Sequence, residues 1–378
     1  MDVVEATLEY DRWLGQRLVI DESDLQYKHA RMAEDAFSFL RATFYRWAQL
    51  WPDLCPDLAA APRVLGVGDL HVENFGTWRD GEGRLIWGVN DFDEAARLPY
   101  TQDLVRLCTS ALISITHSRG RPGSLPQPGS LPPTSPRRAC EAVLKGYREA
   151  LKKQGLPTVL AEHNRWLRDM AVGRLKEQRT YWDKMIALKK VRATPRIVRG
   201  YLQQALPARG LVMDIKKRRA GLGSLGRQRF TALAHWHGGL VAREAKALTT
   251  SAWWWTHGES REPVRYSQIA KQAVRVPDPF LRVHEGWVLR RLAPDCSRVE
   301  LEHLVNVEDQ CKLLHMMGWE TANVHLGSRT QLDALKQDLR RRGGGDWLCE
   351  AASRMRDATF RDWRAWRQWQ KKHGGGRP

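Results

Sequence analysis

Between Val67 and Ala95 the chain reads VGDLHVENFGTWRDGEGRLIWGVNDFDEA, and this stretch limits the fold more than any other. Two short apolar runs, 63–68 (RVLGVG) and 84–90 (RLIWGVN), have the length of buried strands. Each is followed by carboxylate and amide side chains: Asp69, His71 and Asn74 after the first, and Asn90, Asp91, Asp93 and Glu94 after the second. A strand end holds such groups rigidly. Helices are predicted on both sides. Residues 1–60 read as helical, with an apolar stripe from Leu25 to Leu50, and 101–117 (TQDLVRLCTSALISITH) reads as another helix. The class is therefore α+β.

The tract 119–138, with its tandem PGSLP, has too much Pro, Gly and Ser for a helix or an inner strand and reads as a disordered surface loop. Helices are predicted again over 139–155 and 160–190. From 209 the texture becomes β-like: a hairpin with a glycine turn, a further strand, and one more over 286–292 (GWVLRRL). From 298 to the end the pattern is helical. Trp363, Trp366 and Trp369 share one face of the last helix, as core or docking surface.

Charge and cysteine usage narrow the classes. The net charge is +18, and 165–229 alone carries 18 Lys and Arg against four Asp and Glu. Such a region attracts phosphate-bearing partners, or it is simply a solvated helix face. No apolar run reaches the roughly 18 residues of a membrane span. The N-terminus, MDVVEATLEYDRW, lacks the features of a signal peptide. Six irregularly spaced cysteines without a C-x-x-C pair argue against a zinc site or a disulfide framework and fit a reducing cytoplasm.

The acidic segment has the groups phosphoryl transfer needs. One carboxylate, Asp69, can orient a hydroxyl and accept its proton. Asn74 and Asp91, with Asp93 beside them, can hold Mg2+ against phosphates. His71 more readily orients the loop than acts as a base. The plainer alternative is an acidic turn, or a calcium-like loop. A second element is Gly221-Leu-Gly223-Ser224-Leu-Gly226, a G-x-G-x-x-G between two strand-like runs. Glycines there let backbone N–H groups approach phosphate oxygens. Arg243 and Lys246, on the following strand, are the candidates to neutralise those phosphates.

These residues carry a resemblance. Asp69-x-x-x-x-Asn74 followed by Asp91-Phe resembles the catalytic and metal loops of kinases. The run from Gly68 through Asp69, His71 and Asn74 to Asp91 is closer still to the aminoglycoside and choline phosphotransferases, and Asp103 matches the buried Asp-Leu of those enzymes. Here the glycine loop follows the catalytic loop, whereas in kinases it precedes it. The order becomes the usual one if the chain is cut before the catalytic loop and its ends are joined. The chain therefore resembles a circularly permuted, two-lobed kinase-like fold: 1–205 a helical lobe with the catalytic and metal loops, 206–295 a small β-rich lobe, and 296–378 helices completing the first lobe.

More specifically, the chain resembles the bacterial domain-of-unknown-function family 2252. It shares F-x-F-x-R (Phe37–Arg41), GDxHxENFG (Gly68–Gly76), NDFDE (Asn90–Glu94), DLxRL (Asp103–Leu107), GxGSxG (Gly221–Gly226) and GWxxAxxH (Gly318–His325). The resemblance implies ATP and Mg2+ as cofactors and an unidentified, hydroxyl-bearing acceptor, an anionic one being compatible with the basic segment. The family has Lys where this chain has Arg243. That departure motivates a second reading, a nucleotide-binding pseudokinase module; AMP transfer from the same cleft is a third. Nucleic-acid binding through 165–229 ranks last, for want of a motif.

Overall fold

The computed structural model describes residues 1–118, 134–161, 164–173, 177–257, 262–296 and 306–373. Three aspartates start the N-terminal helices. Asp2, Asp21 and Asp35 accept first-turn amides of the helices Val3–Gly15, Glu22–Glu34 and Ala36–Ala42. A carboxylate there satisfies N–H groups that have no partner inside the helix. The stripe predicted through 24–51 is accordingly interrupted: Asp35 is extended and caps the next helix, and Phe44–Leu54 begins after Thr43.

The helix Tyr100–Ser118 lies at the centre of the core, with Leu104, Leu107, Cys108 and Ala111 buried. Pro136–Lys152, Val307–His325 and Asp346–His373 pack around it. Pro136–Lys152 and Val307–His325 cross at Gly146 and Gly318. A Cβ on Gly146 would strike the carbonyl of His315, and one on Gly318 that of Val143, so this approach requires glycine. The tryptophan stripe serves the core. Trp366 is fully buried and donates from Nε1 to the His29 carbonyl (3.1 Å), and Trp363 donates to that of Ala33 (3.3 Å).

Strands β1 (Arg63–Gly66) and β4 (Ala96–Pro99) pair antiparallel, Gly66 opposite Ala96. Strands β2 (Phe75–Arg79) and β3 (Leu85–Val89) pair with Phe75 opposite Val89, and β5 (Thr158–Val159) extends that sheet. The two registers bring 67–74 and 90–95 together at one end of the strands. A third sheet runs β6 (Met213–Lys217), β7 (Arg229–Trp236), β8 (Gly239–Ala247), β10 (Trp287–Leu292), β9 (Arg282–His284), all antiparallel. Residues directly opposite one another share a face. Phe230, Ala245 and Leu289 therefore lie together against Val198 and Leu202 of the helix Arg196–Ala205. Arg229, Lys246 and Val288 lie on the other face.

Of the predicted disordered loop, residues 119–133 lie outside the described residues. Its end is a correction: Ser135 caps a helix that has already begun at Pro136, a residue well suited to a first turn. The single helix predicted over 160–190 is two, Arg165–Gly173 and Gln178–Ile186. Among the described residues no helix is long and apolar enough to cross a membrane. All six cysteines are free thiols.

Candidate active site

The loop after β1 is anchored from beneath. Asp103 accepts the Val67 and Gly68 amides (2.7 and 2.9 Å) and also contacts His325 Nε2 (3.0 Å), whose Nδ1 meets the Tyr147 hydroxyl (2.8 Å). Gly68 has φ +81° and lies against the Glu94 carbonyl where a Cβ would project, so only glycine fits. One turn after Asp103, on the same helix face, Arg106 donates from Nε and Nη2 to Asp69 Oδ1 (3.0 and 2.6 Å) and from Nη2 to the Leu40 carbonyl (2.7 Å). Burial raises the Asp69 pKa above the usual carboxylate value, while Arg106 pulls the other way.

Asn74 ties the two acidic loops. Its Nδ2 donates to the carbonyls of Asp69 and Asp91 (both 3.1 Å), and its Oδ1 accepts the Asp91 amide (3.0 Å). His71 Nδ1 accepts the Glu73 amide (3.2 Å), capping a short turn. The histidine thus shapes the loop.

Lys246 reaches the second loop. The side chain is 1% exposed, and its Nζ is 3.0 Å from Asp91 Oδ2 and 2.7 Å from Asp93 Oδ2. Burial pushes the Asp91 carboxyl up, but Lys246 and then Arg290 outweigh it and hold it well below the usual range. Burial, with the Asp91 charge adding to it, pushes Asp93 upward. Asp93 Oδ1 is buried and has no hydrogen-bond donor. Arg227 donates to Glu94 Oε1 (3.0 Å), and Glu94 Oε2 accepts Ser251 Oγ and the Ala252 amide (2.9 and 2.7 Å).

The glycine-rich turn joins β6 to β7 and folds over Asp69. A Cβ on Gly223 would be 2.9 Å from the Arg41 carbonyl and 3.5 Å from Asp69 Oδ2. Gly221, Gly223 and Ser224 line a polar cavity of about 70 Å3 with Asp69, His71, Asn74, Asp91 and Asp93. Gly226 is not part of it. It packs on Leu25, and its carbonyl accepts the Asp21 amide (2.8 Å).

A family model described as "Uncharacterized protein conserved in bacteria (DUF2252)" matches residues 20–192 and 187–369. The chain belongs to this family. No curated protein and no solved structure matches it. The DUF2252 match includes both acidic loops, the glycine turn, Lys246 and His325.

One expectation for this DUF2252 chain needs correcting. Arg243 does not reach the site. It lies on the sheet face opposite Lys246, donates from Nε to the Ala205 carbonyl (2.7 Å) and stacks on Phe280. Alternation along β8 puts the two cations on opposite sides. Four cations at or beside the cavity carry no role in the sequence reading: Lys28, Arg41, Arg106 and Arg227. Two of them left a signal: Arg41 as the last residue of F-x-F-x-R, and Arg106 in its i+3 spacing from Asp103. Much of the basic 216–229 segment is engaged internally: Lys217 with Asp21 and Asp24, Arg219 with Asp24, Arg218 and Arg229 with Glu244, and Arg227 with Glu94.

Proposed function

We propose that this chain is an ATP- and Mg2+-dependent phosphotransferase acting on a hydroxyl acceptor, with a protein-kinase-like, circularly permuted arrangement. The reading rests on one observation. Lys246, on the strand after the glycine-rich hairpin, is ion-paired with Asp91 and Asp93, and Asn74 joins that loop to Asp69. Lys246 and Asp91 are 155 positions apart in the chain. Taken from the hairpin onward, the order is lysine strand, β10, the helix Val307–His325, then the Asp69 and Asp91 loops. That is a kinase-like order with a different starting point. In this reading 206–295 is the small lobe, and 1–205 with 296–378 the large one.

In the reaction, the acceptor hydroxyl oxygen would attack the terminal phosphorus of ATP, and the bond from that phosphorus to the ADP oxygen would break. Asp69 would take the hydroxyl proton. Burial makes it a stronger base, and Arg106 keeps it ionised and aimed. The orphaned Asp93 Oδ1 and the Asp91 carboxylate are the hard oxygens that Mg2+ prefers. Among the described residues no three His, Cys, Asp or Glu side chains are grouped to hold a metal. Two carboxylates sharing the ion with substrate phosphates is nonetheless a common Mg2+ arrangement. Bound there, Mg2+ would neutralise charge on the phosphate oxygens. The test is calorimetric titration of the full chain with ATP and Mg2+. Lys246→Met should weaken binding about tenfold or more. Unchanged affinity would remove Lys246 from the nucleotide site.

A second reading, AMP transfer from a reversed nucleotide, is favoured by one feature. Glu244, two residues before Lys246 on the same face, is surrounded by Arg218, Arg229 and Arg290, a setting better suited to phosphate than to a base. Mass spectrometry of the modified acceptor distinguishes phosphate from AMP.

A further inference from the structure

The carboxylates around the cavity have cationic partners: Asp69 with Arg106, Glu73 with Arg41, Asp91 and Asp93 with Lys246, and Glu94 with Arg227. Lys28 is left over. It comes from the helix Glu22–Glu34, lines the cavity, and is only 2% exposed. Its Nζ makes no hydrogen bond or ion pair with any described residue. It lies 5.9 and 5.8 Å from the ring centres of Tyr10 and Tyr45, at the outer limit of a cation–π contact. Asp11, the nearest carboxylate in effect, is bound to His29 through Oδ2 (2.8 Å), while its Oδ1 is buried without a hydrogen-bond partner. A buried ammonium without a partner is costly, and burial accordingly lowers the Lys28 pKa; an anion bound in the cavity would offset that cost.

Arg41 and Arg227 line the same cavity, and each has nitrogens buried beneath its surface without a hydrogen-bond acceptor: Nε of Arg41, and Nε and Nη1 of Arg227. Nη1 has only a 3.6 Å ion pair with Asp93. Three cationic side chains around one cavity, Lys28, Arg41 and Arg227, suit an oxyanion. The cavity, about 70 Å3 and open to solvent, has room for an anionic head group. Asp69 lines the same cavity, so an anion held by Lys28 would leave an attached hydroxyl near the carboxylate.

We propose that Lys28, with Arg41 and Arg227, binds the phosphate group of the acceptor, and that the acceptor is therefore a small phosphorylated alcohol. This rests on the phosphotransferase reading of the same site. The test uses the full chain and four probes: inorganic phosphate, glycerol phosphate, glycerate and glycerol, titrated calorimetrically without nucleotide. Glycerol phosphate should bind about tenfold or more tighter than glycerol, and Lys28→Met should lose that advantage while ATP·Mg2+ affinity stays within about twofold.

No preference of the wild type for glycerol phosphate over glycerol overturns the proposal, whatever the variants do. Tighter binding of glycerate overturns the phosphate assignment. Loss of ATP·Mg2+ binding in Lys28→Met, with glycerol phosphate binding intact, assigns Lys28 to the nucleotide instead. If Lys28→Met does not fold, Lys28→Gln takes its place. Failure of the phosphotransferase reading looks different: glycerol phosphate binds through Lys28, yet ATP is never turned over.

Discussion

Glu320 offers a sharp test of how the strand beneath Asp91 and Asp93 is supported. It is 4% exposed, its Oε1 accepts from Thr158 Oγ1 (2.6 Å) and Asn323 Nδ2 (2.9 Å), and its Oε2 lies against Gly88 on β3, just before Asn90. Burial pushes its pKa up to about 7 from an ordinary 4.5, against the pull of Thr158, Arg275 and Asn323. Below pH 4.5 the group is protonated in both the folded and the unfolded chain and contributes nothing. Between 4.5 and 7 the unfolded chain gives up its proton while the folded chain keeps it. Stability therefore falls as pH rises through this window and levels off above 7. A shift of this size corresponds to about 3 kcal/mol. Glu320→Gln keeps the acceptor for Thr158 and Asn323 and removes the ionisation. At pH 8 the variant should be more stable by about 3 kcal/mol, or roughly 4 °C in Tm for a chain this long. At pH 5 the difference should shrink to below about 1 kcal/mol. Thermal melts followed by circular dichroism across pH 5–8 read this directly. A Tm difference that does not change with pH, or a variant less stable at pH 8 than at pH 5 relative to wild type, would refute the reasoning.

Gly68→Ala forces a side chain into a left-handed backbone against the Glu94 carbonyl. It should cost about 2–5 kcal/mol in urea denaturation, and a loss below about 1 kcal/mol would contradict the geometry. Arg243→Met removes a cation from the outer sheet face. ATP·Mg2+ affinity should stay within about twofold by calorimetry, and a tenfold loss would return Arg243 to the nucleotide site.

Part of this was legible in the sequence. Asp69, Asn74 and Asp91 sit at the ends of short apolar runs, and antiparallel register brings such ends together with little else needed. The glycine turn was legible for the same reason, as a hairpin between β-compatible runs. The meeting of Asp103 with His325, 222 positions apart, depends on how two long helices pack, and no local pattern encodes that. The choice between Arg243 and Lys246 turns on strand parity, which needs the register of β8 against its neighbours. Strands β2, β4, β5 and β9 escaped notice because they are short, and β4 ends in Pro99. Lys28 looks like any charged residue on an amphipathic helix. Its burial arises only when Tyr10 and Tyr45 close over it.

The central claim is that Asp69 accepts the proton as a phosphoryl group leaves ATP. Asp69→Asn retains an oxygen for Arg106 and so disturbs the loop less than truncation. The decisive measurement is single-turnover ATP consumption by wild type and this variant at saturating Mg2+, with nucleotide affinity determined alongside. Turnover should fall about 100-fold or more while affinity changes little. Turnover at the wild-type rate would contradict the assignment, and so would a wild-type chain that does not bind ATP at all.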